Sequence, residues 1–243
     1  MEAVLTVQGL CKSYGRKQAV NNLNLRVQRR EIFGLLGANG AGKSTSIECI
    51  LNTKKYDRGD VRILGMNPRT ERKAIFERVG VQFQEPRCQD KITVEEICEV
   101  TRSFYKNPAD YKELLKSFGL SDKCRQMVSE LSGGERQRLF VVLALIPDPE
   151  LVFLDELTSG LDTKARRDVW KHLEKLKAKG LTIFLTSHYM DEVEELCDRI
   201  LILKNGETIF QGTVADAVSQ SPYDKLEDAY LWFTGEEDEN ESL

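Results

Sequence analysis

Gly37-Ala38-Asn39-Gly40-Ala41-Gly42-Lys43-Ser44 follows a short apolar run, Ile32 to Leu36, and leads into a helical pattern from Lys43 to Leu51. The run reads as a buried central strand stopped by Gly37. The octapeptide fits G-x-x-x-x-G-K-[ST] in the setting that pattern requires, a strand before it and a helix after it. Its glycines let backbone N–H groups curl around phosphate oxygens without side-chain obstruction. The helix that begins near Lys43 turns its positive end toward the same anion. Lys43 is placed to neutralise β- and γ-phosphates, and the Ser44 hydroxyl to ligate Mg²⁺.

Outward from this loop, strands and helices alternate. Val4 to Leu10 reads as a strand, and Leu23 to Val27 alternates with period two. Asp57-Arg58-Gly59-Asp60 reads as a turn and Val79 to Phe83 as a strand. Thr93 to Phe118 is helical in pattern, broken at Asn107-Pro108, with Pro108 expected to begin a second helix. A helix is expected from Glu135 to Ile146, ended by Pro147 and Pro149. A buried strand follows (Leu151 to Leu154), then a helix (Lys164 to Lys179) stopped by Gly180, and a strand (Thr182 to Thr186). Arg199 to Leu203 and Thr208 to Phe210 flank Asn205-Gly206, the strongest short hairpin signal. This order predicts an α/β layered domain. Glu236-Glu237-Asp238-Glu239-Asn240-Glu241 reads as a solvated, disordered acidic tail.

Composition narrows the function. The 243 residues are 30% charged and 41% hydrophobic, with Gly 17 and Pro 6, which excludes collagen-like, mucin-like and broadly disordered chains. Lys+Arg 35 against Asp+Glu 39 gives a net charge of -4, so no nucleic-acid partner is expected. The longest apolar run, Leu139 to Ile146, falls far short of the roughly 18 residues that span a bilayer. Any membrane role is therefore expected to be peripheral or through a partner. Met1 to Val7 lacks the basic start and long apolar stretch of a signal peptide. Cys11, Cys49, Cys88, Cys98, Cys124 and Cys197 are scattered, which suits reduced thiols in a cytosolic protein.

Two further segments carry chemistry. Leu151-Val152-Phe153-Leu154-Asp155-Glu156 is an apolar strand ending in two carboxylates. Asp155 suits Mg²⁺, directly or through water, and Glu156 suits a general base that polarises an attacking water. In Leu131-Ser132-Gly133-Gly134-Glu135-Arg136-Gln137-Arg138, Ser132 is a good N-cap, the glycines expose backbone donors and a helix begins at Glu135. That makes a second anion site, which one domain with one nucleotide does not need. Two nucleotides shared between two chains account for it.

With these motifs in this order, the chain resembles the nucleotide-binding subunit of an ATP-binding cassette (ABC) transporter, over nearly its whole length. LSGGERQR is similar to that family's signature motif. The resemblance implies an ABC-type P-loop ATPase fold with a mixed-sheet core, an N-terminal antiparallel β-region and a helical subdomain at about 84–146, within one domain of 1–235. It implies ATP and Mg²⁺, with nucleotide contacts from Gly37 through Ser44 and on to Thr45, and from Ser132, Gly133, Gly134 and Glu135. Tyr14 matches the aromatic that stacks on adenine, and Gln84 the glutamine that reaches Mg²⁺ and water. Asp162, in Ser159-Gly160-Leu161-Asp162, matches the loop that crosses to a partner subunit, and His188 the γ-phosphate histidine. Lys43, Gln84, Glu156 and His188 are thus the implied catalytic set, and Ser44, Gln84 and Asp155 the implied metal ligands. One departure is Leu157, where the family commonly has proline after the glutamate; the loss of a fixed φ loosens that turn. Of the two histidines, His172 lies in a charged helical pattern and reads as a surface residue.

The implied partners are a separate integral membrane subunit, docking near Gln84 to Asp90 at the inner face of the cell membrane, and a second copy of the ATPase. Leu35 to Gly40, Ser187 to Glu194 and Leu226 to Leu231 are similar to cassettes of multidrug or antibiotic export systems. An importer subunit and a translation- or DNA-associated ATP switch are the alternatives. Translation-type factors normally carry two cassettes. The DNA-associated proteins separate the two motifs with long coiled coils, and Ser44 to Leu131 holds no sustained heptads. A small-molecule kinase or GTPase has no use for LSGGE.

Overall fold

The computed structural model describes residues 2–83, 91–158 and 161–235. Its elements begin with β1 (Ala3–Tyr14), β2 (Lys17–Gln28), β3 (Ile32–Leu36), α1 (Lys43–Ile50), β4 (Arg58–Ile63), α2 (Arg72–Phe76) and β5 (Val79–Gln82). Then come α3 (Val94–Ser103), α4 (Tyr111–Ser117), α5 (Gly133–Leu145), β6 (Leu151–Asp155), α6 (Thr163–Ala178) and β7 (Thr182–Ser187). The last are α7 (Met190–Leu196), β8 (Arg199–Lys204), β9 (Glu207–Gly212), α8 (Val214–Ser219) and α9 (Leu226–Thr234). Two compact units result: residues up to Arg69 with those from Thr186 onward, and Thr70 to Leu185.

In the first unit β2, β1 and β4 form an antiparallel sheet. The period-two pattern of β2 is realised side chain by side chain: Leu23, Leu25 and Val27 are buried while Asn24 and Arg26 face water. Each such buried Leu or Val stabilises the fold by about 1.5–3 kcal/mol. The expected turn at Asp57 to Asp60 is instead the start of β4, because Gly59, at φ 115°, lets the strand press against the backbone of β1. The pairing shifts register between Gln8 and Cys11 beside it, so the glycine marks a bulge. All five residues of β3 are buried, Phe33 through Leu36 pair in parallel with β8, and β8 pairs antiparallel with β9. Asn205 (φ 51°) and Gly206 (φ 82°) make the tight hairpin between them.

In the second unit β5 pairs in parallel with β6, in register Val79 with Leu151 through Gln82 with Leu154. Helix α5 buries Leu139 to Val142, Ala144 and Leu145 against β5, β6, α3 and α4, so the longest apolar run of the chain is a core helix. No helix of the described residues is long and apolar enough to cross a membrane. Thr93 and Glu96 close a capping box at the start of α3. Pro108 does not begin a helix. Ala109 N–H is taken by the Ile146 carbonyl, and α4 starts at Tyr111 behind Asp110, whose carboxylate accepts Lys112 N–H at 2.8 Å. An aspartate cap satisfies an exposed helix donor, which proline does not. His172 lies half-buried at the surface: its ring stacks on Phe118 at 5.1 Å, and Nδ1 lies 2.6 Å from the Asp168 carbonyl.

Candidate functional site

The phosphate loop is built by the first unit. Strand β3 delivers it and α1 receives it, with Gly42 as N-cap at φ 109°. A Cβ on Gly42 would collide with the Ala19 carbonyl of β2. Only glycine fits there. Main-chain bonds brace the loop further: Gly206 N–H donates to the Ala41 carbonyl at 2.9 Å, and Asn21 N–H to the Gly206 carbonyl at 2.8 Å. Buried Lys43 donates from Nζ to the carbonyls of Gly37 (2.7 Å) and Ala38 (3.3 Å). Ala38, Asn39, Gly40 and Ser44 are exposed and Thr45 is half-buried, so polar backbone and a hydroxyl rim a buried ammonium. That is an anion cradle. The brace from Ala19 and Gly206 was not identified from sequence, although Asn205-Gly206 was legible as a hairpin.

The same unit carries Tyr14 and His188. Tyr14, exposed at the end of β1, has the Lys12 and Lys54 ammonium groups 5.1 and 5.8 Å from its ring centre, and Lys54 is paired to Glu48 of α1 at 2.7 Å. His188 is exposed just past the C-terminal end of β7, its ring 4.1 Å from that of Tyr189.

The acidic turn belongs to the second unit. Asp155 ends β6 and is buried; Glu156 is half-buried at φ 50°, in the left-handed region that few non-glycine residues occupy. Leu157 and Thr158 are buried behind it. The Gln82 amide of β5 donates to the Asp155 carbonyl at 3.3 Å and to the Phe83 carbonyl at 2.8 Å. The Gln137 amide of α5 donates to the Leu157 carbonyl at 2.8 Å. The loosening expected from Leu157 is therefore opposed by burial of its side chain and capture of its carbonyl. Neither glutamine stands out in the sequence as a support of this turn, since no local pattern links Gln82 or Gln137 to it.

The second glycine motif lies in the same unit, at the start of α5. Exposed Ser132 is the N-cap: Oγ accepts Glu135 N–H at 3.2 Å, and the Glu135 carboxylate accepts Ser132 N–H at 2.9 Å. Lys123 pairs with the other Glu135 oxygen at 3.0 Å. The Ser132 N–H and the Lys123 ammonium hold the Glu135 carboxyl down to about 2. Gly133 faces open space, and Gly134 packs on Leu161. Asp162 N-caps α6, accepting Ala165 N–H at 2.9 Å. Gln84, Ser159 and Gly160, together with the docking stretch to Asp90 and the acidic tail from Glu236, lie outside the described residues.

Comparison with known proteins identifies the family and the fold. The family model described as ABC transporter matches residues 20–159. The Nod factor export ATP-binding protein I of Rhizobium etli is 39% identical over 86% of this chain and 68% of its own length. The daunorubicin resistance ATP-binding protein DrrA3 of Streptomyces coeruleorubidus is 33% identical over 93% of this chain and 73% of its own. A solved ATP-binding subunit of an ABC transporter superposes with a TM-score of 0.87 at 28% identity, over 95% of this chain and 99% of that one. A glycine loop around a buried lysine, an acidic strand end and a serine-capped signature helix thus stand on a fold shared with these proteins, and the chain belongs to the ABC transporter family as an ATP-binding, ATP-hydrolysing subunit.

Proposed function

We propose that this subunit powers export of a drug-like or amphipathic compound through a separate membrane subunit, at whose cytoplasmic side it works as a head-to-tail pair. The observation that carries the pairing is the presence of two anion-binding helix starts, α1 behind the glycine loop and α5 behind Ser132. One ATP occupies one of them, so the second serves the ATP of another copy.

In this reading the backbone donors from Gly37 to Thr45 and the Lys43 ammonium hold the phosphates, and Tyr14 stacks on the adenine. The donor set fits Mg²⁺, since the Ser44 hydroxyl, the Asp155 carboxylate and Gln84 offer hard oxygens. The ion, when bound, neutralises charge on the β- and γ-phosphates. Glu156 takes the proton of the attacking water, and His188 orients the γ-phosphate. Ser132, Gly133 and Gly134 of one copy close on the γ-phosphate bound by the other. Glu135 serves that closure by fixing the Ser132 turn, and Asp162 extends toward the partner. ATP-driven closure then biases a membrane subunit docked near Gln84 to Asp90 between inward- and outward-facing states. Export follows from the two relatives, named for Nod factor export and daunorubicin resistance.

Reconstitution with the membrane subunit in vesicles, cassette outside, tests the reading. Export corresponds to ATP-dependent uptake of substrate into the lumen; release from preloaded vesicles would establish import instead. A mixed pair of Ser132→Arg and Lys43→Ala chains retains one intact composite site and is expected to hydrolyse ATP at about half the wild-type rate. Each parent alone is expected to be nearly inactive, and an active Ser132→Arg parent would sink the shared-site model.

A further inference from the structure

Glu156 stands in a strained backbone conformation that no proline and no glycine beside it enforces. Two side-chain amides bond the backbone on either side of it. Gln82, almost fully buried in β5, donates to the carbonyl of Asp155, the residue before; Gln137, partly buried in α5, donates to the carbonyl of Leu157, the residue after. The donors reach the turn from elements 73 and 20 residues away in the chain. Both carbonyls lie in a buried stretch, where loss of a donor leaves an acceptor without water to replace it.

We infer that Gln82 and Gln137 are positioning residues for Glu156, gripping the backbone on both sides so that its carboxylate is aimed before ATP arrives. The inference rests on the reading of Glu156 as the general base. It also ties two parts of the cycle together. Helix α5 carries Ser132 at its start and Gln137 in its second turn, so the element that closes on one ATP also holds the base that serves another. Rotation of α5 that draws the Gln137 amide off Leu157 releases the base from its strained pose.

The test is steady-state ATP hydrolysis by the full chain carrying Gln137→Met or Gln82→Met, with thermal unfolding and ATP-dependent dimer mass measured alongside. A misplacement of about 1 Å costs up to about 100-fold in rate, so kcat is expected to fall roughly tenfold in each variant. KM for ATP and the ATP-dependent dimer are expected to stay within twofold of wild type, because the phosphate contacts are untouched. In a Glu156→Gln background, single-turnover hydrolysis is expected to be the same with Gln137 or Met at that position, since the amide acts through the glutamate. A Gln137→Met chain with wild-type kcat overturns the inference. So does a rise in KM at unchanged kcat, or an equal further loss in the Glu156→Gln background, which marks a general structural role. Wild-type turnover by Glu156→Gln alone would instead overturn the underlying reading of the base. Should Gln82→Met fail to fold, Gln137→Met on the accessible side carries the test.

Discussion

The phosphate loop and the acidic turn are both sharp bends at the end of a five-residue, fully buried strand, yet they are held in opposite ways. The loop is made of bare backbone and braced by backbone, with Ala19 and Gly206 against Gly42 and Ala41. The acidic turn has a carboxylate side chain, Glu156, at its apex and is held by side chains, Gln82 and Gln137, with Leu157 buried behind it. A bend that wraps an anion must expose N–H groups, so glycine is the natural material. A bend that aims a carboxylate must carry a non-glycine residue at positive φ, and the strain of about 1–3 kcal/mol has to be opposed from outside the turn.

The largest effect should fall on the apex of the acidic turn. Glu156→Gln is expected to lower kcat by at least about 100-fold, as loss of a general base does, while MgATP binding and the fold persist. Light scattering on a sizing column should then show a doubled mass with ATP. Lys43→Ala probes the loop by its only buried cation, and nucleotide affinity is expected to drop about 10- to 100-fold, from loss of a charge-assisted bond of about 1.5–3 kcal/mol. Titration with a fluorescent nucleotide reads this, and unchanged affinity would remove the lysine from the cradle.

Next comes a paired stability measurement. Gly42→Ala meets the Ala19 carbonyl at a positive φ and is expected to cost about 1–3 kcal/mol in urea unfolding, along with most nucleotide binding. Thr158→Val in the acidic turn removes a buried hydroxyl with no hydrogen-bond partner among the described residues and is expected to change stability by less than about 0.5 kcal/mol in either direction. A costly Thr158→Val would mean that the turn depends on its own polar atoms after all, and the contrast between the two bends would weaken.

The smallest effect is a titration at the signature turn. Glu135 is held at about 2, well below its ordinary 4.5, so its grip on Ser132 is complete above about 4.5 and is lost as pH falls through about 2. The protection factor of the Ser132 amide, taken against its intrinsic exchange rate at each pH, should be constant from neutral pH to about 4.5 and fall below it. In Lys123→Met the fall should begin at the same pH but be smaller and end at a higher pH, because the ammonium that lowers the folded-state carboxyl is gone.

Most of the strand and helix order was legible because each element is written in contiguous residues, as in the five apolar residues of β3 or the alternation of β2. Where the reading failed, a distant contact overrode the local signal. Asp57 to Asp60 has turn composition, but Gly59 lets β4 lie against β1, and sheet pairing outweighs turn propensity. Pro108 was a plausible helix start until Asp110 offered a better cap and Ile146 took the intervening N–H.

By itself, then, the sequence determined the glycine loop, the acidic strand end, the Ser132 cap and, through their order, the family. Each of these depends on φ angles and hydrogen bonds within a few neighbouring residues, which the residue types encode directly. Only the tertiary structure decided what holds them in place: that Ala19 and Gly206 close on the loop, that Lys123 charges the signature turn, and that Gln82 and Gln137 converge on the carbonyls beside Glu156. An amide can serve any carbonyl within about 3 Å, and nothing in the chemistry of glutamine says which one. Packing of β5 and α5 against β6 makes that choice.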